Sequence, residues 1–177
     1  MLTIDRSQSA LLVIDLQARL MPAIEGADVV LANARRLIAI ARILDVPVAF
    51  TEHNPSALGP TEPMLEPSAH GQVVPKMSFD ATRGGGLAEL PDRSSLVVAG
   101  CEAHVCVLQT VLGLLAAGRQ VFAVRDAIGA RRSESKEAAM TRMAKHGADI
   151  VTTEMVAFEW LGNAAHERFR DVLRLVK

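Results

Sequence analysis

Ser95-Leu96-Val97-Val98-Ala99-Gly100-Cys101-Glu102-Ala103-His104-Val105-Cys106, continuing VLQTVLGLLAAG to Gly118, is the stretch on which the reading of this chain turns. Leu96 to Ala99 is an unbroken apolar run of the kind that forms a strand buried on both faces. Gly100 punctuates the chain. From His104 onward nearly every position is apolar, which is too continuous for a surface stripe and predicts a helix sunk in the core, closed by Gly118. Cys106 then falls in the first turn of that helix, just past the carboxyl end of a strand. The helix dipole there favours an anion, so the expectation is a thiol with a lowered pKa and nucleophilic character. The competing reading is a small, buried, inert cysteine.

Working outward, the same strand-then-helix alternation repeats. Ala10 to Ile14 is a buried-strand run ending in Asp15. Val30, Ala34, Leu37, Ile38, Ala41 and Leu44 mark an amphipathic helix from about 28 to 44, and Val46–Phe50 a second strand. Thr51–Gly71, rich in proline, reads as a long loop, and Val73-Val74 as a brief third strand before Pro75 and Lys76. Gly84-Gly85-Gly86 precedes a short helix, Leu87–Leu90. Val121–Val124, a helix from Ser133 (its N-cap) to His146, a sixth strand at Ala148–Thr152 and helices at Met155–Trp160 and Ala164–Val176 complete the chain.

Strands alternating with helices imply parallel strands joined by right-handed crossovers. The expected fold is α/β: a Rossmann-like three-layer sandwich whose six-stranded parallel sheet has the order 3-2-1-4-5-6, with helices on both faces. In such a fold ligands bind beyond the carboxyl ends of the strands, near the switch in strand order. The ends of the first and fourth strands carry Asp15 and Cys106, and this order makes those strands neighbours.

Bulk properties narrow the function. The 177 residues fit a single domain, 1–177, half of whose residues are hydrophobic. The formal net charge of -1 and the interspersed acids and bases exclude a basic stripe, and tyrosine is absent, so no nucleic-acid partner is expected. No apolar run spans a bilayer and the N-terminus does not read as a signal peptide. The two cysteines, Cys101 and Cys106, do not make a disulfide framework, which suits reduced thiols and a cytoplasmic location. Neither HExxH nor CxxC spacing occurs, although His53 and His70 share a loop with several glutamates, so no metal is expected. The glycine triplet lacks nucleotide-binding spacing, and no cofactor is expected.

A thiolate nucleophile needs a proton acceptor and a positive field. Asp15 and Lys76 are the candidates. His104 offers a competing partner, but side chains two apart on a helix diverge; it borders the pocket only if the helix begins at Val105.

VIDLQ at Val13–Gln17, PKMSFDA at Pro75–Ala81, AGCEAHVCVLQT at Ala99–Thr110 and VRDAIGAR at Val124–Arg131 resemble the isochorismatase-like cysteine hydrolases, over essentially the whole chain and in the right order. EAHVCVLQT and TEHNPSALGPT are most similar to the isochorismatase-domain-containing subgroup. The resemblance implies a catalytic triad of Asp15, Lys76 and Cys106. It also implies a non-proline cis peptide between Cys101 and Glu102, turning the Glu102 N–H, with that of Cys106, toward an oxyanion. The implied reaction is attack of the Cys106 thiolate on an amide or carbamoyl carbon of a small molecule, with release of an amine and then hydrolysis of the acyl-enzyme. Gln17 and His53 are implied pocket-lining residues. The nicotinamidase branch holds zinc through an Asp and two His; here Glu52-His53-Asn54 stands without a matching second His. Two other functions stay open: vinyl-ether or ester hydrolysis by Asp15 with no covalent step, and a non-catalytic assembly protein that keeps the fold. Family members are commonly homo-oligomers, and the apolar C-terminal helices with Phe158, Trp160 and Leu161 either bury such an interface or cap the chain's own core.

Overall fold

In the computed structural model, which describes residues 2–83 and 91–177, six parallel strands form one sheet in the order β3-β2-β1-β4-β5-β6. They are β1 Ser9–Ile14, β2 Val48–His53, β3 Gln72–Lys76, β4 Ser95–Gly100, β5 Gln120–Ile128 and β6 Asp149–Val151. This is the Rossmann-like order expected from the sequence. The glycine triplet and the helix expected at Leu87–Leu90 lie outside the described residues.

All six residues of β1 and all six of β4 are buried. Their side chains alternate between two cores, which is why an unbroken apolar run is needed. Leu11, Val13, Val97 and Ala99 enter one core with helices α1 Ala27–Ile43, α6 Thr153–Leu161 and α7 Phe169–Val176. Ala10, Leu12, Leu96 and Val98 enter the other with α4 Leu108–Ala116 and α5 Ser133–Lys145. Helix α1 shows the mechanism of burial: Val30, Ala34, Leu37, Ile38 and Ala41 are buried at spacings of three and four, while Arg35 and Arg36 stay outward.

One glycine sets how closely the strands approach at the site, and another ends a helix. Gly100 has φ 132°, and a Cβ there would lie 2.1 Å from the Ile14 carbonyl oxygen. The end of β4 therefore closes onto β1 only because the side chain is absent. Gly118, at φ 76°, follows the end of α4 in the left-handed conformation expected of a terminating glycine.

Several local expectations change. The segment Thr51–Gly71 is not a plain loop: β2 runs to His53, and short helices α2 Pro55–Leu58 and α3 Pro67–His70 follow, each opened by a proline at its first position. β3 extends to Lys76 through Pro75, which an edge strand tolerates. Arg132, not Ser133, is the N-cap of α5. Thr152 caps α6 with its side chain, which accepts from the Met155 N–H, so that helix begins earlier than periodicity indicated. Trp160 and Leu161 are buried within the chain, while Met155 and Phe158 are exposed. No helix among the described residues is long and apolar enough to cross a membrane.

Candidate active site

β1 ends at Ile14, paired on one side with Thr51 of β2 and on the other with Gly100 of β4. Asp15 follows in the left-handed conformation, φ 49°, which a short polar side chain accepts more readily than most. Its N–H still donates to the Thr51 carbonyl at 3.1 Å, so the backbone turns while the ladder holds. The carboxylate is 1% exposed. Oδ1 accepts from Thr51 Oγ1 at 2.6 Å, and Oδ2 accepts from Lys76 Nζ at 2.6 Å. Burying a carboxylate requires such partners, because an unpaired charge in the interior is strongly unfavourable.

Lys76 is the last residue of β3, in register with His53. β2 lies between β3 and β1, and each strand step spans about 4.8 Å, so only a long side chain crosses to Asp15. Lys76 does so with its side chain 7% exposed and its ammonium also directed at the carbonyls of Ser78 and Phe79, 3.4 and 3.5 Å away.

The loop after Lys76 is clamped to α4. The Ala81 N–H donates to Thr110 Oγ1 at 3.0 Å, and the Asp80 carboxylate gathers the Thr82 N–H and hydroxyl at 2.8 and 2.7 Å. Gly113 of α4 leaves room for this: a Cβ there would meet Thr82 Oγ1 at 2.5 Å and the Asp80 carboxylate at 2.8 Å. Sequence alone assigns no role to Thr51, Asp80 or Thr110. Their one signal is a short polar residue next to a strand end or on an otherwise apolar helix.

The turn from β4 into α4 brings in the third group. The Cys101–Glu102 peptide is cis. On either side of Glu102 the backbone is anchored: the Cys101 N–H donates to the Ile14 carbonyl at 2.9 Å and the Ala103 N–H to the Gly129 carbonyl at 2.8 Å. The Glu102 carboxylate, buried, accepts from the Arg131 N–H at 2.9 Å and from Arg131 Nε at 3.0 Å. Ala103–Val107 then forms a single wide π-turn, with the Val107 N–H reaching back to the Glu102 carbonyl at 3.2 Å. Such turns often occur at functional sites. The helix expected to start at His104 is therefore not an α-helix until Leu108.

Cys106 is 6% exposed, and its thiol feels the opposing charges of Asp15 and Lys76. Both cysteines are free. The expected lowering of the Cys106 pKa is reversed. Burial, followed by the negative charge of Asp15, pushes the thiol up to about 12, against the opposing pull of Lys76. The dipole argument fails because the thiol meets a desolvated pocket and a carboxylate, not the open end of an α-helix. Cys101, fully buried under Gly129, is also held up at about 12, chiefly by burial.

Gln17 and His53 stand close to this cluster but differ in what they present. The Gln17 amide is committed: Nε2 donates to the carbonyls of Gly59 and His53 at 2.6 and 3.1 Å, and Oε1 accepts from the His53 N–H at 2.9 Å. It pins the loop after β2, with both amide hydrogens and one lone pair of Oε1 engaged. The His53 ring lies 5.1 Å from that of Phe79, and its buried Nδ1 has no partner.

Three buried groups, a carboxylate, an ammonium and a thiol, thus meet beyond the carboxyl ends of β1, β3 and β4. The arrangement holds a buried ion pair against a thiol.

Known proteins carry related chains. The "Isochorismatase domain-containing protein 2" of Rattus norvegicus is 34% identical over 172 residues, covering 96% of this chain and 81% of that protein. The "Isochorismatase domain-containing protein 1" of Salmo salar is 34% identical over 166 residues, and the aligned region spans 59% of that longer protein. Among solved structures, the MAR1 ribonuclease of Caenorhabditis elegans superposes with a TM-score of 0.93 at 33% identity, covering 98% of this chain and 92% of that one. YcaC from Pseudomonas aeruginosa, solved with hexane-2,5-diol and covalent acrylamide, gives 0.91 at 25% identity, covering 98% and 91%. The Isochorismatase domain model matches residues 9–155, and the chain belongs to the isochorismatase-like hydrolases.

Proposed function

We propose that this protein is a small-molecule cysteine hydrolase that cleaves a C–N bond of the amide or carbamoyl type through a thioacyl intermediate. The observation that carries this reading is the 2.6 Å contact of Lys76 Nζ with Asp15 Oδ2, a buried pair whose charges both act on the Cys106 thiol.

The raised thiol pKa fits a base that acts during attack rather than before it. A resting thiolate would place a second negative charge beside the Asp15 carboxylate. Moving the thiol proton to Asp15 as sulfur bonds to the carbonyl carbon relocates one charge and creates none, and the positive charge of Lys76, paired with Asp15, also favours the ionised sulfur. The carbonyl oxygen becomes an oxyanion, for which the N–H groups of Glu102 and Cys106 are the assigned donors. Collapse breaks the C–N bond, and Asp15 returns its proton to the departing nitrogen. Asp15 then takes a proton from water as that water attacks the thioester carbon. The C–S bond breaks, the acid is released, and the proton returns to the Cys106 sulfur. No cofactor enters these steps. His53, with Phe79 against its ring, is assigned to the pocket wall.

The covalent acrylamide in the YcaC structure supports this reading, since it records an electrophile bonded within the same fold. A second reading follows from the name of the C. elegans structure, a ribonuclease, so RNA belongs among the substrates tested. Self-association, probed by light scattering of the purified chain, is part of the proposal.

The deciding experiment treats the enzyme with panels of small primary amides, carbamoyl compounds, vinyl ethers, esters and RNA, and follows bond cleavage alongside mass spectrometry of the protein. Ammonia or amine release with an acyl adduct on the Cys106 peptide is expected, and Cys106→Ala abolishes both. Turnover retained in Cys106→Ser but lost in Asp15→Asn would replace the covalent route with water attack. No turnover of any panel, together with specific capture of a protein partner, would favour the assembly role.

A further inference from the structure

A cavity of about 300 Å³, separate from the thiol cluster, is walled by His104, Arg131, Arg132 and Ser135. Among the described residues its lining contains no acid. Three further cavities differ: in each of them acidic residues stand among the basic ones, as with Asp45, Glu66 and Asp171 beside Arg35, Arg42 and Arg174. The Arg131 guanidinium gives its Nε to Glu102, which offsets one positive charge and fixes the arginine in place. Among the described residues Arg132 forms no ion pair, so the cavity keeps a net positive charge.

His104 stands in the same wall. Its Nδ1 is sealed from solvent without a hydrogen-bond partner. A buried donor left unsatisfied is unfavourable, so the tautomer that suits this ring carries its proton on Nε2 and leaves Nδ1 bare. Nε2–H is then the nitrogen that can meet a ligand. With the free guanidinium nitrogens and the Ser135 hydroxyl, the walls offer donors of the kind that recognise a tetrahedral oxyanion.

We propose that this cavity is a binding site for a small phosphate-bearing molecule, distinct from the thiol site and independent of the reaction assigned to it. The volume and the mixture of a fork-shaped cation, a ring N–H and a hydroxyl fit a phosphomonoester or the free ion rather than an extended polyanion.

The test is calorimetric titration of the full chain with inorganic phosphate and, separately, with glycerol 3-phosphate, at constant ionic strength set by chloride. Saturable one-to-one binding of either is expected, weakened about tenfold or more in Arg132→Gln and in His104→Gln. Arg42→Gln, which removes an arginine from another cavity, should bind as the unmodified protein does. Tighter binding of glycerol 3-phosphate identifies a phosphomonoester, and equal binding the free ion. Absence of saturation in the unmodified protein, or equal losses in Arg42→Gln and Arg132→Gln, overturns the proposal. Because Arg132 is exposed, its replacement leaves the fold intact, and circular dichroism of each variant checks this. None of these readouts involves turnover, so they succeed or fail apart from the hydrolase reading.

Discussion

Lys76 reaches across β2 to place its ammonium 2.6 Å from the Asp15 carboxylate, joining the edge strand of the sheet to its centre. Both side chains are almost fully shielded from water, so neither charge can be relieved by solvent if its partner is removed. The pair is a structural tie and, in the proposed reaction, the means by which a proton moves at Cys106.

Breaking that pair from the Lys76 side should therefore cost more than neutralising both ends. Lys76→Met leaves a buried carboxylate and is expected to destabilise the fold by about 3–5 kcal/mol. Combining it with Asp15→Asn should recover much of that loss. Denaturant unfolding of the two single variants and the double variant gives the comparison; additive losses would show that the charges do not depend on one another. Asp15→Asn is expected to lower turnover by about 10²–10⁴-fold through loss of the base.

The thiols predict an alkaline weakness. Cys106 and Cys101 are held at about 12 in the fold against an ordinary value of 9.0. Above pH 9 an unfolded chain loses these protons while the folded chain keeps them. Stability contributed by the neutral thiols is therefore full below pH 9 and declines as pH rises toward 12. Thermal unfolding across that range should fall less steeply in Cys101→Ala than in the unmodified protein, and an unchanged slope would contradict the burial argument.

The same raised pKa governs labelling of the free enzyme. The rate of Cys106 alkylation by iodoacetamide should climb about tenfold per pH unit through the neutral and mildly alkaline range, with no plateau at ordinary thiol values. Peptide mapping should find Cys106 modified well ahead of Cys101, which is fully buried. A plateau near neutrality would indicate a preformed thiolate and a different role for Asp15.

At Gly100 the test is steric. A methyl group would fall 2.1 Å from the Ile14 carbonyl oxygen, whereas at Gly118 a Cβ meets nothing within 4 Å. Gly118→Ala carries only the left-handed backbone penalty, about 1–2 kcal/mol. Gly100→Ala should destabilise by several times as much or prevent folding, as measured by denaturant midpoints. Similar midpoints for the two variants would show that β4 can withdraw from β1 without loss.

Gln17 should act through the loop it pins. Gln17→Leu removes three buried or half-buried hydrogen bonds and leaves the Gly59 carbonyl without that donor, a loss of about 1–3 kcal/mol. Hydrogen exchange at the His53 amide should accelerate while the β1 amides keep their protection. Unchanged exchange at His53 would place the loop's restraint elsewhere.

The chain's own residues determine the layered fold because β1 and β4 bury both faces and must be apolar throughout, a pattern visible without any knowledge of neighbours. The same holds for α1, whose buried stripe repeats at helical spacing. Asp15 and Lys76 were legible as polar residues at the ends of such runs, and the family motifs set them beside Cys106.

Other features depend on groups far apart in sequence. The environment of Cys106 could not be read from its place after a strand, since its pKa follows from burial and from a carboxylate 91 positions earlier in the chain. The π-turn, the Thr51 hydroxyl on Asp15, the clamp of Asp80 and Thr110, and the hold of Arg131 on Glu102 likewise arise only when separate strand ends converge. Hydrophobic periodicity records which side of an element faces the core; which polar atoms meet at its end is decided by sheet order and register, and that needed the tertiary structure.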